Sequence, residues 1–301
     1  MKYIKLLPLV LFLAASPALA SGTPIDQTRD VGAHDQIHIN NVKGAVHVTA
    51  WDQNKVHITG SLGTGALPLE ITRDGDTLNI TVKGPGHKGW FSWHSDNDMG
   101  PTVLDVQIPR TAGLDIDVVS ADADAKGLDG GNIKINSVSG HVRLDASSPK
   151  VEINTVSGQV MLSGVMRTAD IQTVSGDILA PSVGDSGQFQ TVSGDVRVEG
   201  GPYGRVSMNT VSGDIDLSGA LQPDGRIDID SVSGDVHLTL PADLSAKLKA
   251  STFSGSLHSA FGKVTEKNHG TGSSIDSVSG EGKGHIHVET FSGDVRIGKA
   301  D

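Results

Sequence analysis

The chain of 301 residues contains no cysteine, and aromatic residues make up only 4% of it. Without cysteine there is no disulfide to staple a small secreted core and no thiolate to act as nucleophile or metal ligand. Basic residues are also scarce: 24 Lys and Arg stand against 35 Asp and Glu, a net charge of −11. Affinity for nucleic acid comes mainly from basic side chains, and so does adhesion to anionic lipid; both partners are disfavoured. After the first twenty residues no apolar run is long enough to read as a transmembrane helix. Glycine, by contrast, is plentiful, 38 residues against roughly 21 at average usage. The glycines fall between short apolar runs, which points to turns. With 37% hydrophobic residues, the chain is too apolar and too periodic for disorder.

The first residues read as an export signal. Lys2 and Lys5 precede an apolar stretch from Leu6 to Ala15, and Ala18-Leu19-Ala20 forms a small-residue cleavage site before Ser21. This is the grammar of a secretory signal peptide. The stretch is too short to anchor the chain across a bilayer. The expectation is a signal peptide over 1–20 and an exported protein, periplasmic or at the cell surface or extracellular.

The dominant signal is a repeat. Val-Ser-Gly and its variants recur with turn glycines at Gly140, Gly158, Gly176, Gly194, Gly213, Gly234, Gly255, Gly280 and Gly293. Most spacings are 18 to 21 residues, with 25 and 13 at the end. A fixed period of this kind marks a repeat architecture. Each unit carries a strand before the glycine, such as 151–155, and another after it, such as 159–162, both with period-2 apolar alternation. Gly permits backbone conformations that a Cβ would block, and neighbouring Ser, Asp and Asn can bond the turn backbone. The predicted fold is all-β: a single-stranded parallel β-helix, or β-solenoid, of 18–21 residues per coil. Each strand pairs with the same strand of the next coil, Ser and Gly stack in columns, and Val or Ile fill the interior. The usual hand of parallel crossovers favours a right-handed coil. No apolar period of six supports a left-handed hexapeptide helix.

Residues 21–107 read as an N-terminal β cap with the first coils, and 108–301 as the repeat solenoid continuous with it. A hairpin is expected over 71–82, turning at Asp74-Gly75-Asp76. Two segments echo each other, Ile108-Pro109 followed by 114–118 and Leu240-Pro241 followed by 244–250. The second of these alternates at every second position and reads as a strand.

The export signal, Val42-Lys43-Gly44 with Trp51-Asp52 nearby, Ile108-Pro109 and the iterated Thr-Val-Ser-Gly-Asp together resemble a bacterial putative adhesin family. Its members are exported β-strand-repeat proteins of unknown function. The resemblance covers nearly all of the chain after residue 20. It implies a β-solenoid in the cell envelope or at the surface, and it brings no catalytic residues with it. An association of some relatives with envelope stress implies a second role, as a periplasmic accessory protein.

Four groups of residues could carry chemistry. Asp177, Asp195, Asp214, Asp235 and Asp294 follow the turn glycine and would align in a column. Calcium favours clustered carboxylates, but the calcium-binding nonapeptide has a different Gly and Asp spacing, so turn capping is the reading. Twelve histidines include His285 and His287 on one strand face, and His237 and His258 after turns, but no spacing supplies three zinc ligands. The stretch 84–100 concentrates Trp90, Phe91 and Trp93, which either plug the end of the solenoid or contact a ligand or partner. His87, His94, Asp96 and Asp98 in it form only a weak metal pattern. Catalysis lacks a motif: acids are spread evenly, and Arg143, Arg167, Arg197 and Arg296 are isolated.

The expected function is therefore non-catalytic, that of an adhesin or cell-envelope interaction protein with no cofactor or metal. An envelope protein or a surface glycan is the expected partner. The alternative is the envelope-stress accessory, and the third reading is a polysaccharide-active β-helix enzyme.

Overall fold

Strand after strand alternates a buried aliphatic residue with one facing solvent. In Val142–Ser157, Val151, Ile153 and Thr155 point inward while Glu152, Asn154 and Val156 point out. One such strand would bury one face and leave its backbone unpaired. Stacking copies in parallel removes both problems, and that is what the chain does. The computed structural model describes residues 22–85, 99–266 and 272–300. Among them every regular element is a strand, and all the strands join one hydrogen-bonded sheet wound into a β-solenoid.

A rung consists of two strand segments meeting at the Ser-Gly corner. Like residues stack on like: Ile135, Ile153, Ile171, Phe189, Met208 and Ile229 form one interior column, and all are fully buried. Each buried aliphatic side chain contributes about 1.5–3 kcal/mol relative to exposure. The corner demands glycine. Gly194 has φ of 147°, and a Cβ there would overlap the carbonyl oxygen of Gly176 in the rung below. The hairpin turning at Asp74-Gly75-Asp76 is present as the antiparallel pair Glu70–Asp74 and Thr77–Thr81.

Val and Ile fill the interior as expected, but the valine beside the Ser-Gly corner is not one of them. Val156, Val174, Val192, Val211 and Val232 are about half exposed, while the preceding residue, Thr in the first four and Ser231 before Val232, is buried. The period-2 alternation explains this: two residues after Ile153 the inward position is Thr155, so Val156 faces out.

One expectation needs correction, the order of the rungs. Rungs in the middle stack in sequence order, but those at both ends do not. From one end to the other the rungs are 77–81 with 102–109, then 36–51, 113–129, 133–146, 151–163, 166–180, 183–198, 203–218, 226–240, 284–299 and 246–259. After Pro109 the chain steps over one rung, and Gln36–Trp51 fills the gap. After Pro241 it steps over another, and Gly284–Ser292 with Val295–Lys299 fill it. The two Pro segments that echo each other in sequence are these two crossovers. Proline has no N–H to give a ladder, which suits a point where the chain leaves one.

Antiparallel strands cover the outer rungs. Lys55–Leu62 pairs with Thr102–Pro109, and Thr23–Asp30 pairs with Lys55–Leu62 in turn. At the far end Ser273–Ser279 pairs with Ala246–Ser254, and Thr265–Glu266 with Ser273–Ser279. Open strand edges are templates for aggregation, and these covers blunt them.

Candidate functional site

The outward face of the first strand segment presents three parallel columns. One runs Asp115, Lys134, Glu152, Asp170, Gln188 and onward to His287 and Lys249. The next is rich in amides, with Asn136, Asn154, Gln172, Gln190 and Asn209. Amides bond along it: Asn154 Nδ2 donates to Asn136 Oδ1 at 3.1 Å, and Asn136 Nδ2 donates to Asp117 Oδ1 at 2.7 Å.

The third column is the exposed valine ridge. Val156, Val174, Val192, Val211 and Val232 continue into Phe291 and then Phe253. At about 4.8 Å per rung the ridge is roughly 30 Å long. The two phenyl rings stack with centroids 4.9 Å apart and planes 9° from parallel. Both are more than half exposed. Stacked β-branched residues favour a parallel ladder, which accounts for valine at each rung. It does not account for two solvent-exposed phenylalanines, and contiguous apolar patches of this kind mark interaction surfaces.

Beside the phenyl pair lies a groove of about 500 Å³. Asp230, Glu289, Ser251 and Asn209 line it together with Phe253 and Phe291. Thr210, Ser231 and Thr290 also border it, but their hydroxyls are buried on the inward side of their strands, without a hydrogen-bond partner within the chain. Asp230, Glu289 and His287 bring ligand atoms within 4.8 Å of one another, with both carboxylates exposed.

A second polar cluster sits near the other end. His38 Nε2 lies 2.7 Å from Asp117 Oδ2, and His38 Nδ1 lies 3.2 Å from Asn79 Oδ1. Asp115 completes the group. The hydrogen bond to Asp117 raises the His38 pKa against a smaller cost of burial. Burial, reinforced by the charge of Asp117, raises that of Asp115. Burial also pushes Asp117 up, but the hydrogen bonds from His38 and Asn136 outweigh it and the net direction is down.

The residues singled out from sequence fall as follows. The carboxylates of Asp177, Asp195, Asp214 and Asp235 each accept the backbone N–H of the aspartate on the next rung, at 2.8–3.0 Å. Asp294 accepts from Ser256 N–H at 2.9 Å. Gly140, Gly158, Gly176, Gly194, Gly213, Gly234, Gly293 and Gly255 each approach the next along one corner. Gly280 lies apart, in the turn after the antiparallel strand Ser273–Ser279. His237 contacts Asp216 and Arg296, and His258 is in register with Arg296. His285 is in register with Arg226. Arg197 pairs with Asp216 at 2.7 Å, and Arg143 lies 3.7 Å from Asp124. Trp90, Phe91 and Trp93, with His87, His94, Asp96 and Asp98, lie outside the described residues.

Sequence reasoning missed the ridge, the groove and the His38 cluster. The ridge was legible in the alternation itself. The other two depend on rungs that meet out of sequence order.

The chain matches the family model described as Toastrack DUF4097 over residues 34–298. No curated protein matches it. Among solved structures it is similar to a putative lipid binding protein from Parabacteroides distasonis ATCC 8503, with 15% identity and a TM-score of 0.52 over 93% of this chain and 98% of that one. A putative adhesin from Bacteroides fragilis NCTC 9343 is also similar, with 12% identity and a TM-score of 0.43 over 93% and 98% of the two chains. A putative adhesin from Parabacteroides distasonis ATCC 8503 has 12% identity and a TM-score of 0.47 over 92% and 98%.

Proposed function

The chain belongs to the Toastrack DUF4097 family, and we propose that it is an exported, non-catalytic interaction protein of the cell envelope that contacts a neutral surface glycan. The observation that carries this reading is the exposed Phe253–Phe291 stack at the edge of the groove. An aromatic face packs against the apolar face of a sugar ring. The carboxylates of Asp230 and Glu289, the amide of Asn209 and the hydroxyl of Ser251 around it accept and donate hydrogen bonds to sugar hydroxyls. The negative net charge disfavours acidic polysaccharides. Export rests on the signal grammar of residues 1–20, with the protein periplasmic or at the cell surface.

Catalysis fits the groove poorly. Asp230 and Glu289 are close, as in a retaining glycosidase, but both are exposed. A general acid in such a site needs a sheltered carboxyl. Trp90, Phe91 and Trp93 are proposed as a second contact point. A second reading, in which the valine ridge lies along acyl chains of an envelope lipid, is favoured by the length of the apolar column and by the name of the Parabacteroides neighbour.

Neutral oligosaccharides and neutral phospholipid vesicles should be titrated separately into the protein. Saccharide binding that weakens at least tenfold in Phe253→Ala/Phe291→Ala, with an unchanged melt, is the expected result. Vesicle binding without saccharide binding would replace the glycan by a lipid. Protease and an impermeant label on intact cells would then decide between surface and periplasm.

A further inference from the structure

We infer that His38, Asp115 and Asp117 form a binding site for a divalent metal ion of the zinc class. One imidazole nitrogen and two carboxylate oxygens lie within 4.8 Å of one another, a donor set that zinc accepts. Their orientation is specific. Asn79 Oδ1 is an acceptor facing His38 Nδ1, which places the ring proton on Nδ1. The Nε2 lone pair then faces an oxygen of Asp117 at 2.7 Å. Two lone pairs at that distance need a cation between them, either the second proton of an imidazolium, as in a hydrogen bond to Asp117, or a metal ion.

A proton on Nε2 would satisfy Asp117 alone. It would leave Asp115 Oδ1 shut off from solvent with no hydrogen-bond partner, and Asn40 Oδ1 likewise. Asn40 lies on the His38 face, in register with Asp117. Buried oxygens without donors are costly, and a metal ion would serve Asp115 and Asp117 together, with Asn40 beside them. Asn79 behind the histidine and Asn136 behind Asp117 are outer partners of the kind that hold metal ligands in place. Widening the His38–Asp117 contact by roughly half an ångström gives the ligand-to-ligand edge of a tetrahedral zinc.

The position suggests what the ion would do. His38 belongs to the out-of-order rung 36–51, and the aspartates belong to 113–129. The ion would staple the inserted rung to the array. The opposite inserted rung carries His287 in the same outward column as His38, with Glu289 beside it and Asp230 on the array. There both carboxylates are exposed, so water can serve them and the demand for an ion is smaller.

The test is a calorimetric titration of zinc chloride into chelator-stripped protein, paired with thermal melts. One site per chain with Kd below about 10 µM, a higher Tm and reversal by EDTA are expected. Asp115 accepts no hydrogen bond through Oδ1, so Asp115→Asn should fold normally and melt unchanged without metal, yet bind zinc at least tenfold more weakly. His38→Gln should abolish the site, and His287→Ala should spare it. Absence of both heat and melt shift at about 100 µM zinc would overturn the inference. Zinc binding unaltered by Asp115→Asn, or lost in His287→Ala instead, would overturn it equally. If His38→Gln does not fold, the Asp115→Asn titration decides alone.

Discussion

At one end of the stack, Gln36–Trp51 is clamped between the rung of 77–81 with 102–109 and the rung 113–129, and three antiparallel strands close over the outside. At the other end the rung 284–299 is clamped in the same way, under a lighter cover of Ser273–Ser279 and Thr265–Glu266. Both ends thus bury a sequence-terminal rung inside the array. Neither leaves the first or last repeat as a bare edge. Their polar clusters differ in exposure: His38, Asp115 and Asp117 are half-buried, whereas Asp230 and Glu289 stand in the open beside two exposed phenylalanines. Under the two proposals, the first end would hold an ion and the second would meet a ligand. The middle, where rungs follow sequence order, supplies the rigid spacing between them.

The largest expected effect is on the lightly covered end. Truncation after Gly282 removes the inserted rung and leaves two facing strand edges unpaired. Tm should fall by more than about 10 °C, with loss of a single cooperative transition. A melt within a few degrees of the full chain would mean that the inserted rung is dispensable. Next in size is Gly194→Val in the middle. The positive φ and the Gly176 carbonyl leave no room for the side chain, and a loss on the order of 3 kcal/mol or more is expected in denaturant unfolding. Asp214→Ala removes one rung-to-rung bond to the Asp235 amide and should cost about 1 kcal/mol. An unchanged midpoint would remove the capping role of the aspartate column. The smallest effect is predicted for Val192→Thr. It keeps the branched shape at a half-exposed position and should stay within about 0.5 kcal/mol. A larger loss would make the ridge a structural seam rather than a contact surface.

Much of the middle was legible in the sequence because there the rules are local. The alternation in 151–155 sets which side chains face in, and the corner glycines set where the chain bends. The same alternation assigns Val156 to the outside, one residue past the inward Thr155. The ends were harder for a physical reason. Strand pairing is not local, and nothing in residues 36–51 alone announces a partner at 113–129. Two traces were present nonetheless. The echo of Ile108-Pro109 in Leu240-Pro241 marks the two crossovers, and the spacings of 25 and 13 around Gly280 mark the departure from order. His38 and Asp117 meet only because of the first crossover, so no motif search along the chain would join them.

The rung order at the C-terminal end is the claim on which the contrast depends, and the absence of cysteine makes it directly testable. Asp228 is in register with His287, and His287 is in register with Lys249. Adjacent rungs are about 4.8 Å apart, within reach of a disulfide, whereas Asp228 and Lys249 are two rungs apart, beyond the roughly 7 Å limit. Under mild oxidation, Asp228→Cys/His287→Cys should crosslink nearly completely within one chain and Asp228→Cys/Lys249→Cys should not. The reverse pattern would show that the rungs stack in sequence order and would contradict the account.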